Sequence, residues 1–208
     1  MTERPFHHGN LRAALLDEAA TVVRESGVDG LSLRDLARRT GVSHGAPRSH
    51  FVDRQALLDA LAELGFQRLT AAVHRALGPE GDLSGRFRRV AQAYVDFAID
   101  DAALMELMFQ AKAAHRSTGV HDAADALFAT LDGAMGPRSS GDVDDDSRTL
   151  FKLLFAATMQ GIASLVASRR IDRAQGNGLV DAAMETMLGS DLATRAVTVR
   201  DEPDTAEA

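Results

Sequence analysis

Between positions 32 and 54 the chain carries five arginines (Arg34, Arg38, Arg39, Arg48 and Arg54) and two histidines (His44 and His50), against Asp35 and Asp53. Guanidinium and imidazole groups at this density suit phosphate oxygens and the acceptor edges of bases. The stretch from Ser32 to Phe51, SLRDLARRTGVSHGAPRSHF, reads as two short helices joined by a tight turn at Gly41. Glycine tolerates the positive φ that such a turn requires. This is how a helix is presented to the DNA major groove. Ser43 is expected to cap the second of the two helices. Its exposed side would offer His44, Gly45, Ala46, Arg48 and Ser49, with His50 following. Gly45 and Ala46 have almost no side chain, so bases or backbone can approach closely. Ala46 suits a thymine methyl, and Arg48 suits guanine or a phosphate. Ser32 and Arg34 open the first helix of the pair, and Asp53 and Arg54 open the helix that follows. Backbone amides at both starts are natural phosphate contacts. Pro47 lacks an amide and biases Ala46 away from helical angles, so it marks a stiff start to a short helix.

The elements that must hold this surface are helical. Apolar residues recur at helical spacing nearly throughout, and no run of period-two alternation appears. Asn10 can cap a first helix with Leu11, Leu15, Ala19, Val22 and Val23 on one face, ending at Gly27. Ser32 opens the second, with Asp35 three residues on as a short capping box. Leu36, Ala37, Val42 and Phe51 are the expected packing residues. Asp53 caps a long fourth helix that Gly78-Pro79 stops. A second block follows, with a fifth helix marked by Phe87, Val90, Tyr94 and Phe97, a sixth by Leu104 to Ala111, and a seventh by Ala124 to Leu131. An eighth spans about 147–168 and a ninth about 179–188. The tail from about Thr194 is polar and is expected to be disordered. The predicted fold is all-α, with about nine helices in two domains: residues 8–68, with the helix-turn-helix at 32–51, and residues 80–192.

The 208 residues carry a net charge of −7, opposite in sign to what a nucleic-acid binder needs. The distribution resolves this. Residues 1–60 balance eight arginines against eight acids, while residues 61–208 hold fifteen basic and twenty-two acidic residues. A local positive face on an acidic body still binds phosphate. No cysteine is present, which removes disulfides, thiolate metal sites and cysteine nucleophiles, and fits the cytoplasm. The start of the chain lacks the apolar core of a signal peptide. The greasiest stretch, Leu150 to Val166, contains Lys152 and Gln160 and reads as too short and polar for a membrane span.

The eighth helix is apolar almost all round, so it needs cover on two sides. One side can face its own domain and the other a second copy of the chain. Phe151, Gly161, Ser164 and Leu165, with Val180, Ala183, Met184 and Met187 of the ninth helix, are the expected dimer interface. The competing reading is a central helix in a monomeric bundle. Phe97, Met105, Met108, Phe109, Phe128, Phe155 and Met159 are candidate linings of an adaptable apolar ligand pocket, although each taken singly also fits a plain core.

Other clusters carry less. Asp142, Asp144, Asp145 and Asp146 fail as an EF-hand, because positions six and twelve are Ser147 and Leu153. His7-His8 is weak evidence for a metal, and His115 and His121 lack companions at catalytic spacing. No phosphate loop, dinucleotide fingerprint or nucleophile elbow occurs, so no catalytic residue, cofactor or metal is expected.

The N-terminal motifs resemble the DNA-binding domain of the TetR/AcrR family of bacterial transcriptional regulators. The resemblance rests on HHGNLRAALLDEA, Gly27-x-x-Gly30-Leu-Ser-Leu-Arg-Asp-Leu-Ala, Gly41-Val42-Ser43, His50-Phe51 and Arg54-Gln-Ala-Leu-Leu. It implies a cytoplasmic homodimer that binds a near-palindromic operator, usually as a repressor released by a small ligand. Arg48 stands where the family usually has a phosphate-binding Tyr, and Arg54 where it often has Lys. YVDFAIDDAALMELMF is similar to the subgroup with a WHG-type C-terminal domain, but Met159-Gln160-Gly161 keeps only the glycine of that motif. The competing function is a dimeric helical interaction protein whose basic element binds a protein partner; an enzyme is the third.

Overall fold

The computed structural model describes residues 11–78, 82–136 and 145–197. Asn10, His7, His8, Asp142 and Asp144 lie outside these. The described residues are helical, and they divide into two compact units. One comprises Met1–Arg68 with Asp101–Asp125, and the other Leu69–Asp100 with Ala126–Ala208. Against the expected domains 8–68 and 80–192, residues 101–125 group with the N-terminal helices.

In the first unit, α1 (Leu11–Ser26) buries Leu15, Leu16, Ala19, Ala20, Val22 and Val23. It ends at Gly27, whose φ of 73° provides the left-handed exit. A 3-10 turn (Val28–Gly30) leads to α2 (Leu33–Arg39). Ser32 caps α2 by accepting the Asp35 amide at 3.1 Å. The Asp35 carboxylate turns to Arg38 instead of returning the bond, so the box is half made. Asp53 accepts the Ala56 amide at 2.8 Å and opens α3 (Arg54–Leu77). Further on, α5 (Ala102–Ala113) packs on α1 and on the turn at Val28–Gly30, and α6 (Thr118–Ala134) follows.

In the second unit, α4 (Leu83–Asp100), α7 (Asp145–Ala167), α8 (Arg173–Leu188) and α9 (Asp191–Ala196) surround an aromatic core. Phe87 meets Phe151 and Phe155 edge-on at 5.7 and 6.3 Å, and Tyr94 meets Phe155 at 6.4 Å. Burial pushes the Tyr94 phenol's pKa up.

Two boundaries differ from expectation. α8 starts at Arg173, not near 179, because Asp172 and Gln175 form a reciprocal capping box. Gly176 reads as a helix breaker, yet it packs: a Cβ there would meet Val166 Cγ2 at 2.7 Å. At the other end, Ser190 caps α9, Thr194 to Ala196 complete it, and Val197 follows as its extended C-cap, with Ala196 and Val197 buried; the remainder of the expected tail, 198–208, lies outside the described residues. The expectation about α7 and membranes also needs correction. Among the described residues, Asp146–Ala167 is long and apolar enough to cross a bilayer by length and composition. Twenty-eight per cent of its apolar stretch is buried, and the rest is half-buried or exposed.

Candidate nucleic-acid interface

The turn after α2 forms because two short-range bonds close it. Thr40, buried, bonds its hydroxyl to the Leu36 carbonyl at 2.7 Å, and the Val42 amide reaches the Ala37 carbonyl at 3.0 Å. Gly41 sits between them at φ 70°, with open space around its missing side chain. A substitution there is strained through its backbone alone. Gly41→Ala should lower stability by about 1 kcal/mol, and Gly41→Asn by less. Thermal denaturation of both variants checks this order.

The element after the turn is shorter than expected. It is one 3-10 turn, Ala46–Ser49, not an α-helix capped by Ser43. Pro47 explains this: it falls at the start, removes an amide, and is itself buried. The Ser43 carbonyl, not its hydroxyl, receives the Ala46 amide at 3.0 Å. Phe51 is 2 % exposed behind the turn, and the Arg12 guanidinium lies 5.5 Å from its ring centre.

Nine of the ten residues proposed from sequence for DNA are exposed: Ser32, Arg34, Ser43, His44, Gly45, Arg48, Ser49, His50 and Arg54. Ala46 is half-buried. The five arginines divide into two groups. Arg39 binds Glu18 at 2.6 Å and Glu25 at 2.7 Å, fastening α2 to α1. The Glu18 hydrogen bond is the main reason its pKa is raised. Arg38 is held by Asp35. Arg54 donates to the Leu31 carbonyl at 3.0 Å and the Val28 carbonyl at 2.7 Å, tying the start of α3 to the turn before α2. It therefore has a structural task that its position in the sequence does not reveal. The guanidinium groups of Arg34 and Arg48 make no hydrogen bond or ion pair among the described residues. Ser32, Arg34, Asp35, Arg38 and His44 line an open concave surface. Chemically this is an exposed cationic rim with unengaged donors, beside a turn of small residues.

The pocket candidates are divided between the two units. Met105, Met108 and Phe109 lie in the first unit, and Phe97, Phe128, Phe155 and Met159 in the second. Met108 fills the space left by Gly65, where a Cβ would meet its sulfur at 2.6 Å, and Phe109 stands edge-on to Phe66 at 5.8 Å. Only Phe155 among the seven lines the small cavity of the second unit, with Phe87, Leu131, Met135, Phe151 and Lys152. Its volume is about 10 Å³, room for one water at most.

The proposed dimer residues also separate. Phe151, Val180, Met184 and Met187 are buried within the chain, and Leu165 and Ala183 are half-buried. The first four are core, because an apolar helix gives no sign of which side its own domain covers. Gly161 and Ser164 are exposed, on a stripe of α7 with Leu150, Leu153, Leu154 and Ala157. Leu150 is 56 % exposed, Leu153 54 %, Leu154 43 % and Leu179 of α8 41 %. The missed signal was their spacing at i, i+3, i+4 and i+7, one helical face.

Behind that face is a buried ionic cluster that the sequence did not indicate. Arg148, 1 % exposed, donates to the Asp132 carboxylate at 3.3 Å, the Asp132 carbonyl at 2.6 Å and the Gly136 carbonyl at 3.1 Å. Lys152 reaches the same carboxylate at 2.8 Å. Burial raises the Asp132 pKa, but Lys152 and Arg148 together outweigh it and hold the carboxyl below its ordinary value.

Comparison with known proteins agrees with this arrangement. Residues 15–61 match the family model for bacterial regulatory proteins of the tetR family, and residues 87–190 match the tetracyclin repressor-like C-terminal domain. The chain is 39% identical over 97 residues to the class A tetracycline repressor of transposon 1721 from Escherichia coli, covering 42% of this chain and 41% of that protein. It is 29% identical over 107 residues to the transcriptional regulator BetI of Burkholderia lata, covering 50% of this chain and 55% of that protein. It thus spans about half the length of these curated relatives. A protein of unknown function from Rhodococcus sp. RHA1 is 44% identical and superimposes with a TM-score of 0.77, covering 89% of this chain and 97% of that one. The regulator LfrR of Mycobacterium smegmatis, solved with proflavine, shares the fold at 23% identity and a TM-score of 0.56, over 86% and 94% of the two chains. With both segments matched in their expected order, the chain belongs to the TetR family of bacterial transcriptional regulators.

Proposed function

We propose that the protein is a ligand-responsive repressor that binds a near-palindromic operator as a homodimer in the cytoplasm. The observation that carries this reading is the division among the arginines. Arg38, Arg39 and Arg54 brace the helix-turn-helix, while Arg34 and Arg48 remain unengaged beside His44 and His50. Buried polar contacts would be enough for a mere packing unit; unengaged cations on a rigid turn suit phosphates and bases. Two copies would enter successive major grooves about 34 Å apart. The exposed leucine stripe of α7, with Leu179, supports pairing of two chains.

Release by a small molecule is supported by the relatives: one is named a tetracycline repressor, and another was solved with proflavine. The effector would occupy the second unit through rearrangement of Phe155 and its neighbours, since the cavity there holds almost nothing. It must prefer the DNA-released state, and a 100-fold release needs about 2.7 kcal/mol of coupling.

Selection of bound sites from random DNA tests the reading. A two-fold symmetric site should be enriched, and its affinity should fall steeply with salt. Arg48→Ala should weaken that site by about 1–3 kcal/mol if Arg48 reads a base, changing preference at one position of each half-site. If it meets a phosphate, the loss is uniform over sequences and the salt slope falls by about one. Failure to enrich a symmetric site, with partner binding that survives Arg48→Ala, would favour the protein-interaction reading.

A further inference from the structure

We propose that His115 and His121 form a binding site for a divalent transition-metal ion such as zinc, at the turn between α5 and α6. Six residues apart in sequence, the two rings lie with centroids 4.9 Å apart and planes tilted by 43°. His115 Nδ1 is 2.7 Å from the Ala113 carbonyl oxygen, and His121 Nδ1 is 2.9 Å from that of Ser117. A carbonyl oxygen can only accept, so each Nδ1 must carry the proton. In the neutral imidazole the lone pair then lies on Nε2 of both rings. Metal-binding histidines are commonly held this way, with the nitrogen that does not bind metal donating to a backbone carbonyl.

The spacing fits a shared ion. Two imidazoles that each bind one zinc at about 2.1 Å have centroids roughly 5 Å apart. His115 is also placed against its own backbone preference. It follows the last turn of α5 at φ 51°, a left-handed conformation that glycine or asparagine adopts with less strain. The Ala114 amide to Gln110 and the His115 amide to Lys112 keep it there. No third histidine, cysteine or carboxylate joins the pair in a cluster among the described residues. The ion would therefore keep open positions for water or an incoming ligand, and copper would bind more tightly than zinc or nickel. The pair lies in the unit that holds the helix-turn-helix, at the far end of an element whose start, Asp101, is paired to Arg24 of α1 at 2.6 Å. The site is independent of the repressor reading and stands or falls separately.

The test is calorimetric titration of the full, untagged chain with zinc alone. One ion per chain should bind at this site. His115→Asn and His121→Asn should each weaken it at least about tenfold, because each removes one of two protein ligands. Asparagine keeps an N–H near the Nδ1 position and tolerates left-handed backbone, so His115→Asn should melt no lower than the parent. A His7→Ala/His8→Ala variant controls for the other histidine pair and should retain the site. Long-range nitrogen–proton correlation spectra of the parent should show both rings protonated at Nδ1. The proposal is overturned by no stoichiometric binding at millimolar zinc, by binding unchanged in both asparagine variants, or by rings protonated at Nε2.

Discussion

Leu153→Asp combined with Leu154→Asp should leave the chain folded, monomeric and more than about 100-fold weaker on its operator. Both residues are about half exposed on a stripe of α7 that continues through Ala157, Gly161 and Ser164. In the isolated chain the changes remove half-exposed apolar side chains and place two aspartates inside a helix, so stability should fall by roughly 1–2 kcal/mol while the chain stays folded. In a two-fold dimer each change occurs twice, near the symmetry axis. Four carboxylates would then lose water without partners, and each would cost several kcal/mol. A dimer dissociation constant raised by more than about 1,000-fold corresponds to only about 4 kcal/mol. Loss of DNA affinity follows, because a monomer engages one half-site. Light scattering after gel filtration reads the mass, and circular dichroism reads the fold. Unchanged dimer mass would place the interface elsewhere. If instead the parent chain floats with lipid vesicles and the variant does not, the stripe faces a bilayer. As a control, Phe151→Ala should destabilise the chain itself by about 3–5 kcal/mol, because that ring is core.

What the sequence made legible was local. Ser32, Asp53, Gly27 and Gly41 act within four residues of themselves, through a cap or a backbone angle, and each stands where its type requires. The helical period of α1 likewise identified its buried side. The errors arise where the partner is distant. An apolar helix such as α7 has no polar face to set its rotation, so the larger Phe151 and the neighbouring Leu150 could not be told apart. One is buried and the other is 56 % exposed. Arg54 reads as a phosphate contact from its place in a first turn, but the carbonyls it holds lie 23 and 26 residues away. Pro47 did signal a short segment, and its missing amide reduced that segment to a 3-10 turn. The closeness of His115 and His121 was not legible because the turn conformation, not the spacing, brings the tilted rings together.

The Arg148–Asp132–Lys152 cluster sits in that same blind spot, its partners sixteen and twenty residues apart in sequence, and its disruption should have a large effect on stability. Asp132→Asn keeps the side chain's size and removes its charge. It leaves Arg148, 1 % exposed, facing Lys152, 14 % exposed, with no carboxylate between them. Removing one partner of a buried ion pair costs about 3–5 kcal/mol; the lower end applies here because Asp132 retains some solvent contact. For a chain of this size about 3 kcal/mol lowers the melting temperature by roughly 10 °C. Replacing the whole cluster by Asp132→Leu, Arg148→Met and Lys152→Met should recover much of the loss, because no charge is then left buried. The acid limb carries the same signature. The folded carboxyl's pKa lies below the ordinary value of about 3.9, so its contribution is complete above that pH and is lost as pH falls through the folded value. The parent should lose stability below about pH 4, and Asp132→Asn should lose less over the same range. An acid limb of equal steepness in parent and variant would mean that Lys152 and Arg148 do not hold Asp132 ionised.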